Sequence, residues 1–347
     1  MSSIKKFLRL SQTRKFTMQA VRIHPNPSKP WGPENPAPTS ALHLDSNIPI
    51  PKPIKPGDVL VRIKATTLVR DTLTWPEMLA KEYLTPGNDF AGVVEAVADE
   101  KASGLRAGDE VFGMINADRG GAWAEYALVD AEKGEVARKP PPIGFEEAAS
   151  VPLSALTAWE ALFHKGGLSA PGSGGSKGTK ILITGASGNV GIFLVQLAAL
   201  AGCHVIAAST SNARNEEFLK SLGASEVVEY KDLWDRAGVY DVAVDTVGGD
   251  VLRQIWPLAA PNATLVSVDS ASYNFVEELQ PPSRKDVNAI WFIVWSSQED
   301  LTQVAGLLEA GTLKTFVSAT YPIEKVQEAY EAASGRSPKR GKIILTV

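Results

Sequence analysis

The sequence predicts an α/β protein: a compact β-barrel-like domain followed by a doubly wound parallel-sheet domain. Three observations predict it. The chain has 347 residues, more than one hydrophobic core usually organises. Its first half holds short β-branched runs between Pro and Gly turn signals, the pattern of a small barrel. From about residue 180, strand-like and helix-like segments alternate, as in a parallel sheet wrapped by helices.

Taken in order, the opening "MSSIKKFLRLSQTRKFTM" carries Lys5, Lys6, Arg9, Arg14 and Lys15, with no acid before Glu34. A basic, acid-free start of this kind has the look of a mitochondrial transit peptide. The other reading of residues 1–17 is a short solvated extension ahead of a domain that opens with "MQAVRI". The barrel-like domain is expected over 18–150. Its strand candidates are "DVLVRIKAT" (58–66), "AGVVEAV" (91–97), "DEVFGMI" (109–115) and "AEYALV" (124–129). The proline-rich stretch 25–56 reads as a long loop.

Helical sequence begins at 145–163, where Glu146 and Glu147 suit a first turn and Pro152 marks a break between two pieces. The Gly/Ser-rich stretch 166–179 reads as a surface loop. Next come "KILITG", a helix over 188–202, "HVIAAS", a helix over 214–222, "EVVEY", "DVAVDTVG" and "ATLVSVDS". This dinucleotide-type domain is expected over 151–313. "AIWFIVWSS" (289–297) would make an apolar edge strand, and such edges are usually paired or covered. A helix over 297–311 follows. The tail 314–347, ending in "RGKIILTV", is expected to rejoin the first domain.

Composition excludes several classes. The chain is 44% apolar and 21% charged with a net charge of −4, which gives no electrostatic case for a nucleic-acid partner. One cysteine, Cys203, rules out an intramolecular disulfide framework. No apolar stretch approaches the roughly 20 residues of a bilayer span, so no membrane partner is expected. The chain reads as a soluble cytoplasmic protein, with mitochondria as the alternative. No repeat is visible.

The chemistry-bearing motif is "TGASGNVG" (184–191). Gly185 permits a tight strand-to-helix turn, Gly188 lets backbone N–H groups approach a pyrophosphate, and Gly191 allows close packing. Ala186, Ser187, Asn189 and Val190 complete the candidate phosphate cradle at a helix N-terminus. The turn follows a strand, opens a helix and sits in a β/α run, the context that makes the motif specific. An NAD site would place an acid about 20 residues after the first glycine. No acid lies between Gly185 and Glu216. The second strand instead ends in "ASTSNAR", where Ser209, Thr210, Ser211 and Arg214 suit a 2′-phosphate, so NADPH is the expected cofactor. No metal site is expected. Catalytic zinc needs thiolate and imidazole ligands, and His24, His43, His164 and His204 show no ligand spacing among themselves or with Cys203.

With these residues assembled, the chain resembles the zinc-independent quinone oxidoreductase branch of the medium-chain dehydrogenase/reductase superfamily. The likeness covers about Met18 to Val347. It rests on "TPGNDFAGVVEAV" (85–97), "RAGDEVFG" (106–113), "GAWAEYALV" (121–129), "ASVPLSALTAWEALF" (149–163), "ITGASGNVGIFLVQLAALAG" (183–202), "DVAVDTVGG" (241–249) and "RGKIILTV" (340–347). The resemblance implies a GroES-like barrel, closed by the C-terminal strand, a Rossmann domain, and an active site between them. It further implies that Thr157 lies near the nicotinamide ribose, Tyr230 near the adenosine phosphate, Lys342 close to the cofactor, and Thr246 and Val247 beside the nicotinamide. It also implies a homodimer joined through the Rossmann sheets.

Two stretches depart from the family pattern. In "TTLVRDTLTWPE" (66–77) and "GNDFAG" (87–92) no zinc ligand and no family proton donor carries over, which leaves Arg70, Trp75 and Asn88 as cleft candidates. Trp75 reads equally as core, and Asp71 reads as structural. The expected reaction is hydride transfer to a conjugated carbonyl or quinone: a 2-enone, an alkenal, or an enoyl intermediate of a polyketide or other secondary-metabolite pathway. An NADPH-binding protein without catalysis is the reading from another class.

Overall fold

The computed structural model describes residues 17–32, 34–233, 238–335 and 339–347; the transit-like segment 1–16 lies outside them. The protein has the GroES-like plus Rossmann α/β architecture. The strand Asp58–Leu68 organises the first sheet. It is apolar, β-branched and almost wholly buried, and it is long enough to take two partners on one edge. Tyr126–Asp130 pairs with its first half and Lys342–Thr346 with its second, both antiparallel. Its other edge carries Asp89–Val97, then Glu110–Met114 and Val136–Arg138. Val317–Pro322 lies outside Lys342–Thr346, giving seven strands on this sheet path together with Tyr126–Asp130. The end of the chain therefore returns to the first sheet.

One expectation fails here. The stretch 25–56 is not all loop: Leu42–Pro49 forms a strand antiparallel to Thr17–Ile23, with a bulge between Met18 and Ala20. The prolines crowd either side of "LHLDSNI", and Leu42 anchors that run with 1% exposure. Read over the whole window, the prolines hide the short apolar run between them.

The second sheet has six strands in the spatial order Glu226–Glu229, His204–Ser209, Lys180–Ile183, Tyr240–Asp245, Ala259–Ser267, Asn288–Trp291. Every pairing is parallel. Counted within this sheet the order is 3-2-1-4-5-6, and ligands of such sheets bind at the strand carboxyl ends where the order reverses. The reversal falls between Lys180–Ile183 and Tyr240–Asp245.

Two helical segments place the site. Phe145–Ala149 is followed by Pro152–Trp159, with Pro152 in the first turn, where a missing N–H leaves no bond unmade. Pro152–Trp159 runs on into a wider π turn, Glu160–Lys165. The helix after the glycine turn spans Gly191–Leu200 and is buried on every side from Gly191 to Ala198, as an apolar-all-round helix must be. It packs against Pro152–Trp159. It starts at 191 rather than the expected 188 because Gly188 N–H closes a tight turn onto the Gly185 carbonyl at 2.8 Å. The sheets are tied together by Ser296 N–H donating to Asn116 Oδ1 at 2.8 Å. Gln196 adds a second tie, accepting from Lys314 N–H at 2.8 Å and donating to the Lys314 carbonyl at 3.1 Å.

Candidate cofactor site and substrate cleft

The glycine turn lies at the reversal. Gly185 has φ +60°, and a Cβ there would fall 2.2 Å from Thr246 Oγ1, so only glycine fits. A Cβ on Gly191 would lie 2.3 Å from the Gly185 carbonyl oxygen, which is the close approach of helix to turn. Ala186 is buried and donates its N–H to the Ala208 carbonyl at 3.2 Å. Gly188 and Asn189 are exposed, and Ser187 and Val190 half-buried. Among the described residues the N–H groups of Ser187, Asn189 and Val190 have no acceptor, which leaves them for an anion at the helix start.

Two groups brace this turn, the half-buried Tyr230 and the buried Asp245. Tyr230 Oη accepts the Gly185 N–H at 2.8 Å. Burial pushes the Tyr230 phenol up, and the Asp245 charge adds to that. Asp245, at the end of its strand, accepts from Thr184 Oγ1 at 2.5 Å, Gly248 N–H at 2.9 Å, Ser267 Oγ at 3.1 Å and Val247 N–H at 3.3 Å. Burial pushes this carboxyl up, against the pull of those donors. One side chain thus joins three strand ends at the reversal. Thr246 is fixed further by Oγ1 donating to the Thr184 carbonyl at 3.0 Å. Thr246 lines the adjoining cleft, whereas Val247 is 42% exposed and lies outside the cleft lining.

At the adenosine end Ser209 is buried, with Oγ accepting the Ser211 N–H at 3.4 Å. Thr210 and Arg214 are exposed, and Ser211 precedes the helix Asn212–Ser221. Two groups here escaped the sequence reading. Arg340 donates to the Arg214 carbonyl at 2.6 Å and to Asn215 Oδ1, and its guanidinium lies 4.8 Å above the Phe218 ring. Burial and the neighbouring Arg214 charge both hold Arg340 below the usual guanidinium value. Glu229 sits beside Ser209 in the sheet and accepts the Asn212 N–H at 2.8 Å. That bond and Lys231 Nζ at 2.9 Å hold its carboxyl below the ordinary range. Both groups are far in sequence from "ASTSNAR". The only signal of Arg340 is a cation in "RGK" next to the returning strand.

A cleft of about 440 Å³ opens between the sheets. Val69 and Met114 line its barrel side, and Thr157, Val190, Thr246 and Val268 its Rossmann side. Arg70, Trp75 and Asn88 all line it. Arg70 is exposed and pairs with Asp71 at 3.2 Å. Asn88 is buried and donates to the Ile115 carbonyl at 2.9 Å. Trp75 packs its ring against the barrel core, and its buried Nε1 has no partner among the described residues. Thr157 donates Oγ1 to the Leu153 carbonyl of its own helix at 2.6 Å.

Lys342 is absent from the cleft lining. It is 3% exposed and donates to the fully buried Asp89 at 2.5 Å. Asp89 also accepts from Thr67 Oγ1 and from Leu153 N–H, each at 2.6 Å. Leu153 lies in the first turn of Pro152–Trp159, where an unpaired N–H and the helix dipole favour an anion. Asp89 therefore fastens the helix that carries Thr157 to the barrel. Cys203 is buried beside its strand, and burial pushes its thiol up to about 11. His24, His164 and His204 pair with Asp45, Asp300 and Glu226 at 3.0, 3.0 and 2.8 Å. Among the described residues no three His, Cys, Asp or Glu side chains gather as a metal-holding group.

A Rossmann sheet with a phosphate turn at its reversal, facing a barrel across an apolar cleft, defines a two-domain nicotinamide oxidoreductase. Residues 55–141 match the alcohol dehydrogenase GroES-like domain family, and residues 222–345 the zinc-binding dehydrogenase family. The chain is 34% identical over 323 residues to a probable mitochondrial zinc-binding oxidoreductase of Arthroderma benhamiae, covering 89% of this chain and 94% of that one. It is 34% identical over 313 residues to the chloroplast envelope quinone oxidoreductase homolog of Arabidopsis thaliana, covering 86% and 92%. The quinone oxidoreductase of Coxiella burnetii superposes with a TM-score of 0.79 over 95% of this chain and 99% of that one, at 24% identity, a likeness of fold. The chain belongs to the quinone oxidoreductase branch of the medium-chain dehydrogenase/reductase superfamily. It is an oxidoreductase of the nicotinamide-dependent kind. Among the described residues no helix is long and apolar enough to cross a membrane.

Proposed function

We propose that this protein is an NADPH-dependent reductase that passes hydride, without zinc, to an uncharged conjugated acceptor such as a 2-enone, alkenal or quinone. The observation that carries the reading is the apolar cleft beside Thr246, lined by Val69, Met114, Val190 and Val268. A bound nicotinamide would supply the hydride. The chain's own residues then have three tasks. Asp245 and Tyr230 hold the glycine turn and the Thr246 loop in fixed relation, so that positioning carries much of the rate. The apolar walls exclude water from the acceptor. The developing negative charge on the acceptor oxygen is spread by conjugation and needs only neutral donors, which is consistent with Arg70 being paired to Asp71.

The charged rim supports the uncharged substrate class. Asp71, Glu77 and Asp269 face a single cation, Arg70, around the cleft, a balance that opposes acyl groups on anionic carriers. Zinc independence is supported by Cys203, which is buried, and by His24, His164 and His204, each paired with a carboxylate. A mitochondrial address is supported by the basic opening segment and by the name of the Arthroderma relative. A homodimer through the open edge of Asn288–Trp291 is supported by Tyr273, Ile293 and Trp295, which stand 65%, 44% and 58% exposed near that edge.

One observation favours a second cofactor reading. Glu229, beside Ser209, is an acid of the kind that accepts a ribose hydroxyl, so NADH would compete. Titration with both nucleotides decides between them. The reaction itself is tested with deuterium-labelled NADPH and a medium-chain 2-alkenone. Label at the β-carbon of a saturated ketone is expected, and label at the carbonyl carbon of an allylic alcohol would refute the proposal.

A further inference from the structure

We infer that Tyr330, on the helix Val326–Ser334 near the chain end, is a positioning residue for the acceptor, its hydroxyl wedged into the backbone turn that walls the cleft. The inference rests on the reading that this cleft takes the acceptor, and it adds a residue outside the cleft lining.

The turn leaves the strand Asp58–Leu68 and runs from Val69 to Trp75. Val69, Arg70, Asp71 and Trp75 all line the cleft. Its backbone winds as a 3-10 turn, in which each N–H bonds the carbonyl three residues back. Thr72 N–H donates to the Val69 carbonyl at 3.1 Å, Thr74 N–H to Asp71 at 2.9 Å, and Trp75 N–H to Thr72 at 3.4 Å. The member missing from this series is Leu73 to Arg70. In its place stands the phenol hydroxyl, accepting from Leu73 N–H at 3.1 Å and donating to the Arg70 carbonyl. A side chain inserted in this way holds the backbone open. The flanking peptides are clamped locally, Thr72 Oγ1 donating to the Val69 carbonyl at 2.8 Å and Thr74 Oγ1 to the Asp71 carbonyl at 2.7 Å. The Arg70 carbonyl alone among these takes its place from a distant part of the chain.

The wedge is itself held. Tyr330 is 5% exposed, and its ring meets the fully buried Trp123 edge-on, with centroids 6.3 Å apart at 67°. Trp123 Nε1 donates to the Thr67 carbonyl at 2.8 Å. Trp123 therefore fixes both the strand end from which the turn departs and the ring that enters it. Burial pushes the Tyr330 phenol up, and the Asp71 charge adds to that, so the hydroxyl keeps the proton it donates. Without the hydroxyl, the turn must close on itself or leave the Leu73 N–H and the Arg70 carbonyl unpaired. Either outcome shifts or loosens Arg70 and Asp71, and with them the wall against which an acceptor rests. The glycine turn belongs to the other sheet, so nucleotide binding should be indifferent to the change.

Steady-state kinetics with a medium-chain 2-alkenone, alongside NADPH titration, test this. Tyr330→Phe keeps the ring against Trp123 and removes only the hydroxyl. It is expected to raise KM for the alkenone about five- to tenfold, the worth of one hydrogen bond, with kcat and NADPH affinity changed less than twofold. Val326→Ala is the control, because Val326 is 3% exposed in the same core and on the same helix, outside the cleft lining. It should lower thermal stability at least as much as Tyr330→Phe and leave KM unchanged. An unchanged KM in Tyr330→Phe, or an equal rise in both variants, would overturn the inference and leave the proposed function standing. Val268→Trp fills the cleft from the Rossmann side and should raise KM by itself. Were it to leave KM unchanged, the acceptor would lie elsewhere and the cleft reading itself would fall.

Discussion

Lys342 and Asp89 hold opposite charges at 3% and 0% side-chain exposure, where neither can fall back on water. Removing one partner of a buried pair strands the other, at a cost of roughly 3–5 kcal/mol. Lys342→Met should therefore lower unfolding stability by that order in denaturant titration. Asp89→Asn combined with Lys342→Met should recover part of the loss, because no charge is then left unpaired. Cys203 gives a second check at this scale. Its thiol is raised from 9.0 to about 11, so at pH 8 roughly one molecule in a thousand is thiolate. A disulfide reagent should leave the native protein unlabelled and label one thiol after denaturation. Because the folded form keeps its proton longer than the unfolded form, this group's contribution to stability falls as pH rises from about 9 to about 11. The chemistry of single residues was only partly legible in sequence. Gly185 and Arg214 are read from their neighbours, but Lys342 and Asp89 are 253 residues apart. No local pattern reveals that the lysine serves the barrel and stays out of the cleft.

At the scale of elements, the glycine turn was legible because its constraint is local: a strand, three glycines and a helix written without interruption. Its helix start was misplaced by three residues, since Gly188–Val190 satisfy turn geometry before α geometry begins. The strand Leu42–Pro49 was missed for the opposite reason, its weak pattern lying among prolines. Its existence depends on pairing with Thr17–Ile23. The turn makes a sharp prediction. Gly185→Ala places a Cβ at φ +60° against Thr246 Oγ1, and a non-glycine residue held there costs about 1–3 kcal/mol. The affected parts are the turn and the Thr246 loop together, so NADPH affinity should fall by at least tenfold while the barrel keeps its structure. Nucleotide titration alongside circular dichroism checks this. Unchanged affinity would mean that the turn does not carry the cofactor.

At the scale of the molecule, the two sheets and the returning C-terminal strand were expected from the order of strand-like and helix-like segments. What surrounds the cleft was not. Tyr273 and Ile293 line it and at the same time stand exposed beside the outermost strand, Asn288–Trp291. That strand has one free edge, and a free apolar edge invites pairing with a second copy. Two copies related by a two-fold axis would bury the same edge on each, and with it the exposed face of Trp295. The cleft would then gain a wall where Tyr273 and Ile293 now meet solvent. Placing a charge at that face should separate the copies without touching the glycine turn. Trp295→Glu is therefore expected to convert a dimer to a monomer in light scattering, leave NADPH affinity within twofold, and raise KM for a hydrophobic enone severalfold. A monomeric wild type would refute the dimer, and a monomeric variant with unchanged KM would show that the cleft is complete within one chain.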